Sequence, residues 1–362
     1  MRIARPRPAR SVARALLAAS LIAAAAVAVG GGQPVGASTS SVGYAPLDRP
    51  GPPLTVPAAT LQAALHCEGD LAGSRLEPVL LNPATGVTPE QNFSWNYERA
   101  FRAQGRAWCA VTMPYSTEGD IQVAGEYLVY AIRAMHARAA RRVAVLGHSQ
   151  GGMSMRWALR FWPDTRAMVD DVVGIAGTNH GTTSLGLCRQ GLTSCPAATW
   201  QQGAGAKFIA ALNSGTETFA GISYTEVFTH TDEVVQPNQS DAVSASALHT
   251  GAGAITNVST QDICPLDVYE HLAVGTIDPV AYALALDALD HPGPAQPAQV
   301  NRSVCLRLYQ PGVDPLNVQT YLQVLSALPT LAAVDLPDVN FSGIPVMPDE
   351  PPLRCYVFAA GC

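Results

Sequence analysis

The stretch 141–161, RRVAVLGHSQGGMSMRWALRF, constrains the fold of this chain more than any other. It passes from a continuous apolar run into Gly-His-Ser-Gln-Gly at 147–151 and then directly into a helical pattern of apolar residues. A Gly-x-Ser-x-Gly pattern in this context is typical of a sharp strand-to-helix turn that exposes a serine hydroxyl. The glycines are needed because side chains there would strike the neighbouring strand and helix. Ser149 is therefore the candidate nucleophile, and the backbone N–H of Gln150 is a candidate oxyanion donor.

Short apolar runs alternate with helical patterns along the chain. The runs predict strands just after Arg75 and at 107–111, 143–146, 172–176 and 224–229, and the helical patterns lie at 120–138 and 153–161. This alternation predicts an α/β fold with a mostly parallel central sheet flanked by helices. Sites in such sheets gather at the carboxyl ends of the strands. The loops to search therefore begin near Asn82, Gly147, Gly177, His230 and Pro265.

The first 37 residues resemble an export signal. Five arginines precede the apolar stretch from Ala15 to Val29, and small residues at 35–37 permit cleavage after Ala37. That stretch is shorter than a membrane-spanning helix requires, so a retained anchor is the less favoured interpretation. We therefore predict a secreted, extracellular protein with one domain over 38–362 and a loop-rich C-terminal portion.

The charge of the chain argues against one class of partner. Cleavage would remove five of the 22 basic residues and no acidic one, so the formal charge would change from -6 to -11. So acidic a chain, with Lys207 as its only lysine, is a poor candidate for binding nucleic acid. We predict a monomer without a stable membrane anchor.

Disulfides are the favoured state of the cysteines. All eight follow the predicted signal: Cys67, Cys109, Cys188, Cys195, Cys264, Cys305, Cys355 and Cys362. An even number in an oxidising compartment favours pairing, and no Cys/His spacing indicates a zinc site. Cys188 with Cys195 and Cys355 with Cys362 would close short loops, but spacing alone leaves the connectivity open.

A serine nucleophile requires a histidine base, and a carboxylate orients that histidine. In folds of this type the chain order is Ser, then Asp or Glu, then His. Asp232, in FTHTDEVVQP, follows a predicted strand and is the candidate acid. Its rivals are Glu233, Asp241, Asp262, and the pair Asp170 and Asp171, which precedes a strand at the wrong end of the sheet.

Three later histidines are candidates for the base: His249, His271 and His291. We favour His271, because the apolar residues Leu266, Val268 and Tyr269 before it allow it to leave the end of a strand. His291 precedes a Pro-Gly-Pro loop, and His249 lies in a Ser/Ala-rich stretch. His148 is adjacent to the nucleophile and points away from it, because neighbouring side chains diverge.

Three segments carry a resemblance to a known family. SQGGMSMRWALRFWPDTRAMVDDV, TWQQGAGAKFIAAL and HTDEVVQP are similar to the secreted lipases related to Candida antarctica lipase B, over about Pro78 to Cys305. The resemblance implies an α/β-hydrolase fold that acts on carboxylic esters, including triacylglycerols. It also implies that no metal or cofactor takes part.

The resemblance assigns roles to individual positions. The family's nucleophile, acid and base fall on Ser149, Asp232 and His271. Its oxyanion hole falls on Gln150 and on Thr85, within NPATGVTPEQNF, which offers both a backbone N–H and a hydroxyl. Each donor lost from such a hole typically costs about 3 kcal/mol in the barrier.

The resemblance also bears on the disulfides and the substrate pocket. It implies that Cys67 pairs with Cys109 and Cys264 with Cys305, and a bridge from Cys188 to Cys195 would stiffen a loop near the entrance. His148 stands where the family's yeast member has a tryptophan that narrows the alcohol side, and Thr178 replaces an aspartate on the acyl side. Both residues are therefore predicted to line the substrate pocket, with an altered size preference.

The sequence thus predicts a secreted serine lipase or esterase that forms an acyl-enzyme on Ser149. Its substrate would be an ester or lipid, met at a lipid–water interface. Two alternatives stay open: a polyester hydrolase or acyltransferase that uses the same triad, and a catalytically silent binding protein with a hydrolase fold.

Overall fold

Residues 43–184, 188–317 and 343–362 are described by the structure, a computed structural model. The predicted export signal at 1–37 lies outside them. The strands of the described residues are β1 (Leu65–Glu68), β2 (Val79–Asn82), β3 (Trp108–Val111), β4 (Val143–His148), β5 (Val169–Ile175), β6 (Cys195–Pro196), β7 (Ser223–Phe228), β8 (Ala254–Ser259) and β9 (Val346–Met347). Their α-helices are α1 (Ala58–Ala64), α2 (Pro89–Phe93), α3 (Tyr97–Gln104), α4 (Ile121–Ala139), α5 (Gln150–Phe161), α6 (Ala197–Gln201), α7 (Lys207–Leu212), α8 (Thr260–Ile263), α9 (His271–Val274) and α10 (Pro279–Asp290).

Seven of these strands form one sheet, in the order β1-β3-β2-β4-β5-β7-β8. The edge strand β1 is antiparallel to β3, and the other neighbours in the sheet are parallel. The short strands β6 and β9 form a separate antiparallel pair. The predicted mostly parallel α/β sheet is therefore confirmed. Strands β1 and β8 were not predicted, because β1 is partly exposed and β8 mixes polar with apolar residues.

Helices cover both faces of the sheet. Alternate residues of β4 point to opposite sides, so Val145 packs with Leu128 and Trp157 from α4 and α5. Leu146 packs on the other side with Phe101 and Leu284, which belong to α3 and α10. A strand buried on both faces is apolar throughout, which explains the continuous run before the serine.

One segment before the base behaves differently from expectation. Leu266, Val268 and Tyr269, expected to lead into the base from a strand end, belong to no strand, and Leu266 is 91% exposed. The stretch His271–Asp290 is long and apolar enough to cross a membrane. It is divided into α9 and α10 and is 83% buried, as a core element of the fold would be.

All eight cysteines are paired. The disulfides are Cys67–Cys109, Cys188–Cys195, Cys264–Cys305 and Cys355–Cys362, which are the predicted pairs. Those spanning 42 and 41 residues each restrict the unfolded chain enough to stabilise the fold by about 4 kcal/mol in the chain-entropy account.

Candidate active site

Ser149 lies in the turn between β4 and α5. Its backbone has φ 56° and ψ -125°, a conformation that side-chain-bearing residues rarely adopt. The turn is possible because glycines flank it. A Cβ at Gly147 would lie 2.2 Å from the backbone of Gly151, and one at Gly151 would lie 2.1 Å from the carbonyl oxygen of Asn82. The strained turn therefore holds the hydroxyl at the carboxyl end of the sheet.

A hydrogen-bonded chain joins Ser149, His271 and Asp232. His271 Nε2 lies 2.9 Å from Ser149 Oγ, and His271 Nδ1 lies 2.8 Å from Asp232 Oδ2. These side chains come from the ends of three different segments: the β4–α5 turn, the first residue of α9, and the loop after β7. The structure thus brings together the three residues that the sequence predicted as nucleophile, base and acid.

Asp232 is buried but well provided with donors. Its Oδ1 accepts hydrogen bonds from the backbone N–H groups of Val234 and Val235, at 2.8 and 2.7 Å. Only Oδ2 is left for the imidazole, so the carboxylate fixes both the orientation and the tautomer of His271, with the proton on Nδ1.

His271 is held so that it can accept a proton. Burial works against a charged imidazole, but the carboxylates of Asp232 and Glu233 outweigh it, and the pKa of His271 is raised. Glu233 also accepts the backbone N–H of His271, at 3.3 Å. Because Nε2 is free of a proton and faces the serine, the ring can act as a general base.

The predicted oxyanion donors lie beside the serine turn. Gln150 is the first residue of α5, so its N–H is one of the amides without a partner in the helix. The Thr85 hydroxyl donates to Gln150 Oε1 at 2.8 Å. Gln202 Nε2 donates to both Thr85 Oγ1 and Gln150 Oε1, at 3.0 and 3.1 Å.

Gln202 was missed by sequence reasoning about the chemistry, although it lies within TWQQGAGAKFIAAL, one of the segments that carry the resemblance. Gln202 directly follows α6 and lies more than a hundred residues after Thr85 in the sequence, so no spacing pattern connects the two. Only the fold reveals the contact.

The loop that carries Thr85 is held from both sides through Ala84. Asn92 Oδ1 accepts the Ala84 N–H at 2.9 Å, and the Thr117 hydroxyl donates to the Ala84 carbonyl at 2.6 Å. The Gln150 side chain in turn donates to the Thr117 carbonyl at 3.0 Å. The loop is therefore preorganised before any substrate arrives.

Two residues predicted to line the substrate pocket are buried. His148 is 0% exposed, and both of its ring nitrogens lie within hydrogen-bond distance of other protein groups. Its side chain therefore presents no accessible surface to a substrate. Thr178 is 1% exposed, and its hydroxyl donates to Gln202 Oε1 at 2.8 Å. Thr178 is thus connected to the candidate oxyanion residues through the side chain of Gln202.

The rival acids and bases have other partners. Asp171 lies at the start of β5, at the opposite end of the sheet, and Asp262 caps α8 by accepting the Ser259 N–H. His291 pairs with Asp287 at 2.9 Å.

Comparisons with known proteins agree with this architecture. No protein-family model matches the chain. Lipase B of Pseudozyma antarctica is 34% identical over 223 residues, which are 61% of this chain and 64% of that protein, so the chain spans just under two thirds of the length of this relative. The crystal structure of Aspergillus fumigatus lipase B matches with a TM-score of 0.73 and 29% sequence identity, over 84% of this chain and 73% of that one. The predicted resemblance and the α/β-hydrolase fold are confirmed.

Proposed function

We propose that this chain, which has an α/β-hydrolase fold and is similar to lipase B of Pseudozyma antarctica, hydrolyses carboxylic esters through an acyl-enzyme on Ser149. The observation that carries the proposal is the chain of contacts from Ser149 Oγ through His271 to Asp232, at 2.9 and 2.8 Å. Both distances are those of formed hydrogen bonds, so proton transfer needs no rearrangement of the protein.

In the proposed reaction, Ser149 Oγ attacks the carbonyl carbon of the ester while its proton moves to His271 Nε2. The imidazolium is stabilised by Asp232 through the hydrogen bond to Nδ1. Collapse of the tetrahedral intermediate breaks the bond to the alcohol, and the alcohol leaves with the proton from Nε2. Water then repeats these steps on the acyl-enzyme and releases the carboxylic acid.

The oxygen that carries the negative charge of the intermediate would accept hydrogen bonds from the N–H groups of Gln150 and Thr85 and from the Thr85 hydroxyl. In the resting structure that hydroxyl donates to Gln150 Oε1, so it must turn toward the oxyanion when substrate binds. Gln202 Nε2 already donates to Gln150 Oε1, which keeps this oxygen satisfied after the turn. Rotation of the Thr85 hydroxyl therefore leaves Gln150 Oε1 with a hydrogen-bond donor.

We also propose that the substrate is met at a lipid–water interface by a secreted protein. Exposed leucines support this location: Leu266 is 91% exposed, Leu306 88% and Leu308 72%. The Cys264–Cys305 bridge and a hydrogen bond from the Tyr269 hydroxyl to the Leu308 carbonyl join the segments that carry them. Four disulfides are consistent with an oxidising compartment.

Replacement of the nucleophile tests the proposal. We expect Ser149→Ala to lower kcat for p-nitrophenyl esters by about 10⁶-fold, the loss typical of a removed triad serine. Its matched control is Ser303→Ala, an exposed serine whose variant should keep wild-type activity.

A fluorophosphonate probe separates the enzyme from the silent binding protein. Wild-type protein should be labelled on Ser149, and Ser149→Ala should not be labelled. Folded wild-type protein that resists the probe and cleaves no ester would contradict the proposed function.

A further inference from the structure

His148 occupies an enclosed position beside the triad. It is the last residue of β4, its side chain is fully buried, and a Cβ at Gly275 would lie 2.2 Å from its ring. The ring centroids of His148 and His271 are 5.4 Å apart and tilted by 34°. The mechanism above gives this second buried histidine no task.

Hydrogen bonds fix the polarity of the ring. Asn92 Oδ1 already accepts the Ala84 N–H, so Asn92 Nδ2 is the atom that lies 3.3 Å from His148 Nδ1 and donates to it. His148 Nδ1 is therefore the acceptor, and the ring proton is on Nε2. This N–H donates to the backbone carbonyl of His271, at 3.0 Å.

The ring is neutral in this arrangement. Burial and the positive charge that His271 acquires lower the pKa of His148 to about 3, against weaker opposing effects of the His271 carbonyl and Asp232. A second ring proton would also place an N–H against the Asn92 amide N–H. The side chain therefore keeps one donor and one acceptor at pH values well above 3.

We propose that His148 and Asn92 are positioning residues that tie the oxyanion-hole loop to the general base. The connection runs from the Ala84 N–H through Asn92 and His148 to the carbonyl of His271, and it joins two segments nearly 190 residues apart in sequence. It extends the proposed function, because it sets the distance between the group that removes the proton and the groups that stabilise the charge.

The side-chain types suit this task. A neutral imidazole accepts on one side of its ring and donates on another, so it can connect groups that lie in different directions. An apolar residue of similar size would leave the Asn92 amide and the His271 carbonyl buried without partners. Displacements of about 1 Å can cost about 100-fold in rate, so a loose connection would appear in kcat.

The sharpest test is Asn92→Asp, which keeps the shape of the side chain and the acceptor for the Ala84 N–H. The introduced carboxylate has no proton to give to His148 Nδ1. The connection can then form only when the introduced carboxyl and His148 together hold one further proton, either on the carboxyl or on Nδ1, which a lower pH favours. We expect kcat to fall by about tenfold near pH 8, with KM within about threefold of wild type, and the loss to shrink as the pH is lowered.

Asn257→Asp is the matched control. Asn257 lies in β8 and bonds both the N–H and the carbonyl of Leu248, so its variant loses a comparable structural hydrogen bond away from the site. It should lower the melting temperature without a pH-dependent change in kcat relative to wild type. Equal pH profiles for Asn92→Asp and wild type would overturn the proposal.

A double-mutant cycle gives a second readout. If the two residues form one connection, His148→Phe and Asn92→Leu should each lower kcat, and the double variant should be no slower than the slower single one. Independent, additive losses would contradict a shared connection. Failure of this proposal is distinct from failure of the proposed function, because it would leave the wild-type enzyme active and Ser149 labelled.

Discussion

Both ends of the central sheet bury carboxyl groups, in contrasting surroundings. At the carboxyl end, Asp232 is 2% exposed and accepts hydrogen bonds from two backbone N–H groups and from His271. At the amino end, Glu77 and Asp171 lie with Asp170 so close that oxygens of all three are within 4.8 Å of one another. One oxygen of Glu77 and one of Asp171 have no hydrogen-bond partner among the described residues.

The two ends differ in the hydrogen-bond donors that the fold supplies to their carboxyl groups. Asp232 lies among donors and bonds directly to the Nδ1 atom of His271. Burial, followed by the charges of Asp171 and Asp170, raises the pKa of Glu77 to about 8. One end of the sheet is thus arranged for chemistry, and the other has a carboxyl group that opposes folding when it ionises.

The largest expected effect is at the carboxyl end. Asp232→Asn keeps the size of the side chain but lets the amide favour the wrong tautomer of His271, with the proton on Nε2. We expect kcat to fall by about 10⁴-fold while the melting temperature changes little. Steady-state kinetics and calorimetry on the same samples measure both quantities.

Asp262→Asn is its control, because Asp262 also accepts a backbone N–H but lies in the α8 cap. It should retain wild-type kcat. If Asp232→Asn instead kept activity and lost mainly stability, the two ends of the sheet would not differ in the way proposed.

A smaller effect is expected at the proposed oxyanion hole. Thr85→Val removes the hydroxyl but keeps the shape and the backbone N–H, so kcat should fall by about 100-fold with little change in KM. Gln150 and Gln202 can still bond each other in this variant. The exposed Thr250→Val should leave kcat unchanged. Wild-type kcat in Thr85→Val would show that the hydroxyl never turns toward the oxyanion.

Much of this architecture could be predicted from the sequence, because its signals are local. The apolar run of β4, the glycines around Ser149 and the helical pattern of α5 are adjacent in the chain, and they determine the turn together. Asp232 and His271 could be chosen by chain order and by what precedes them, although residues 266–269 before His271 form no strand.

What could not be predicted depends on contacts between distant segments. Gln202 reaches Thr85 only because α6 packs beside the β2 loop. His148 was predicted to line the pocket because the family's yeast member has a tryptophan there, and that resemblance does not reveal the contacts of the ring with Asn92 and Gly275. The crowding of Glu77 against Asp171 likewise arises from the pairing of strands, which sequence patterns do not specify.

The smallest effect is expected at the amino end, and it is on stability alone. In the unfolded chain the Glu77 carboxyl ionises near its ordinary value of 4.5, whereas in the folded protein its pKa is about 8. Between these values the unfolded state binds fewer protons, so stability falls as the pH rises. Glu77→Gln removes the ionisation and should raise the melting temperature at pH 8 by about 2 °C, or about 1 kcal/mol.

This gain should shrink as the pH falls toward 4.5 and vanish below that value, where the wild-type carboxyl is protonated in both states. Activity should stay at the wild-type level at every pH, because Glu77 precedes β2 at the end of the sheet opposite Ser149. The exposed Asp241→Asn serves as the control and should follow the wild-type melting curve at both pH values. If the difference in melting temperature between Glu77→Gln and wild type stayed constant from pH 4.5 to 8, ionisation of Glu77 would not destabilise the fold. The distinction between the two ends would then rest on the catalytic residues alone.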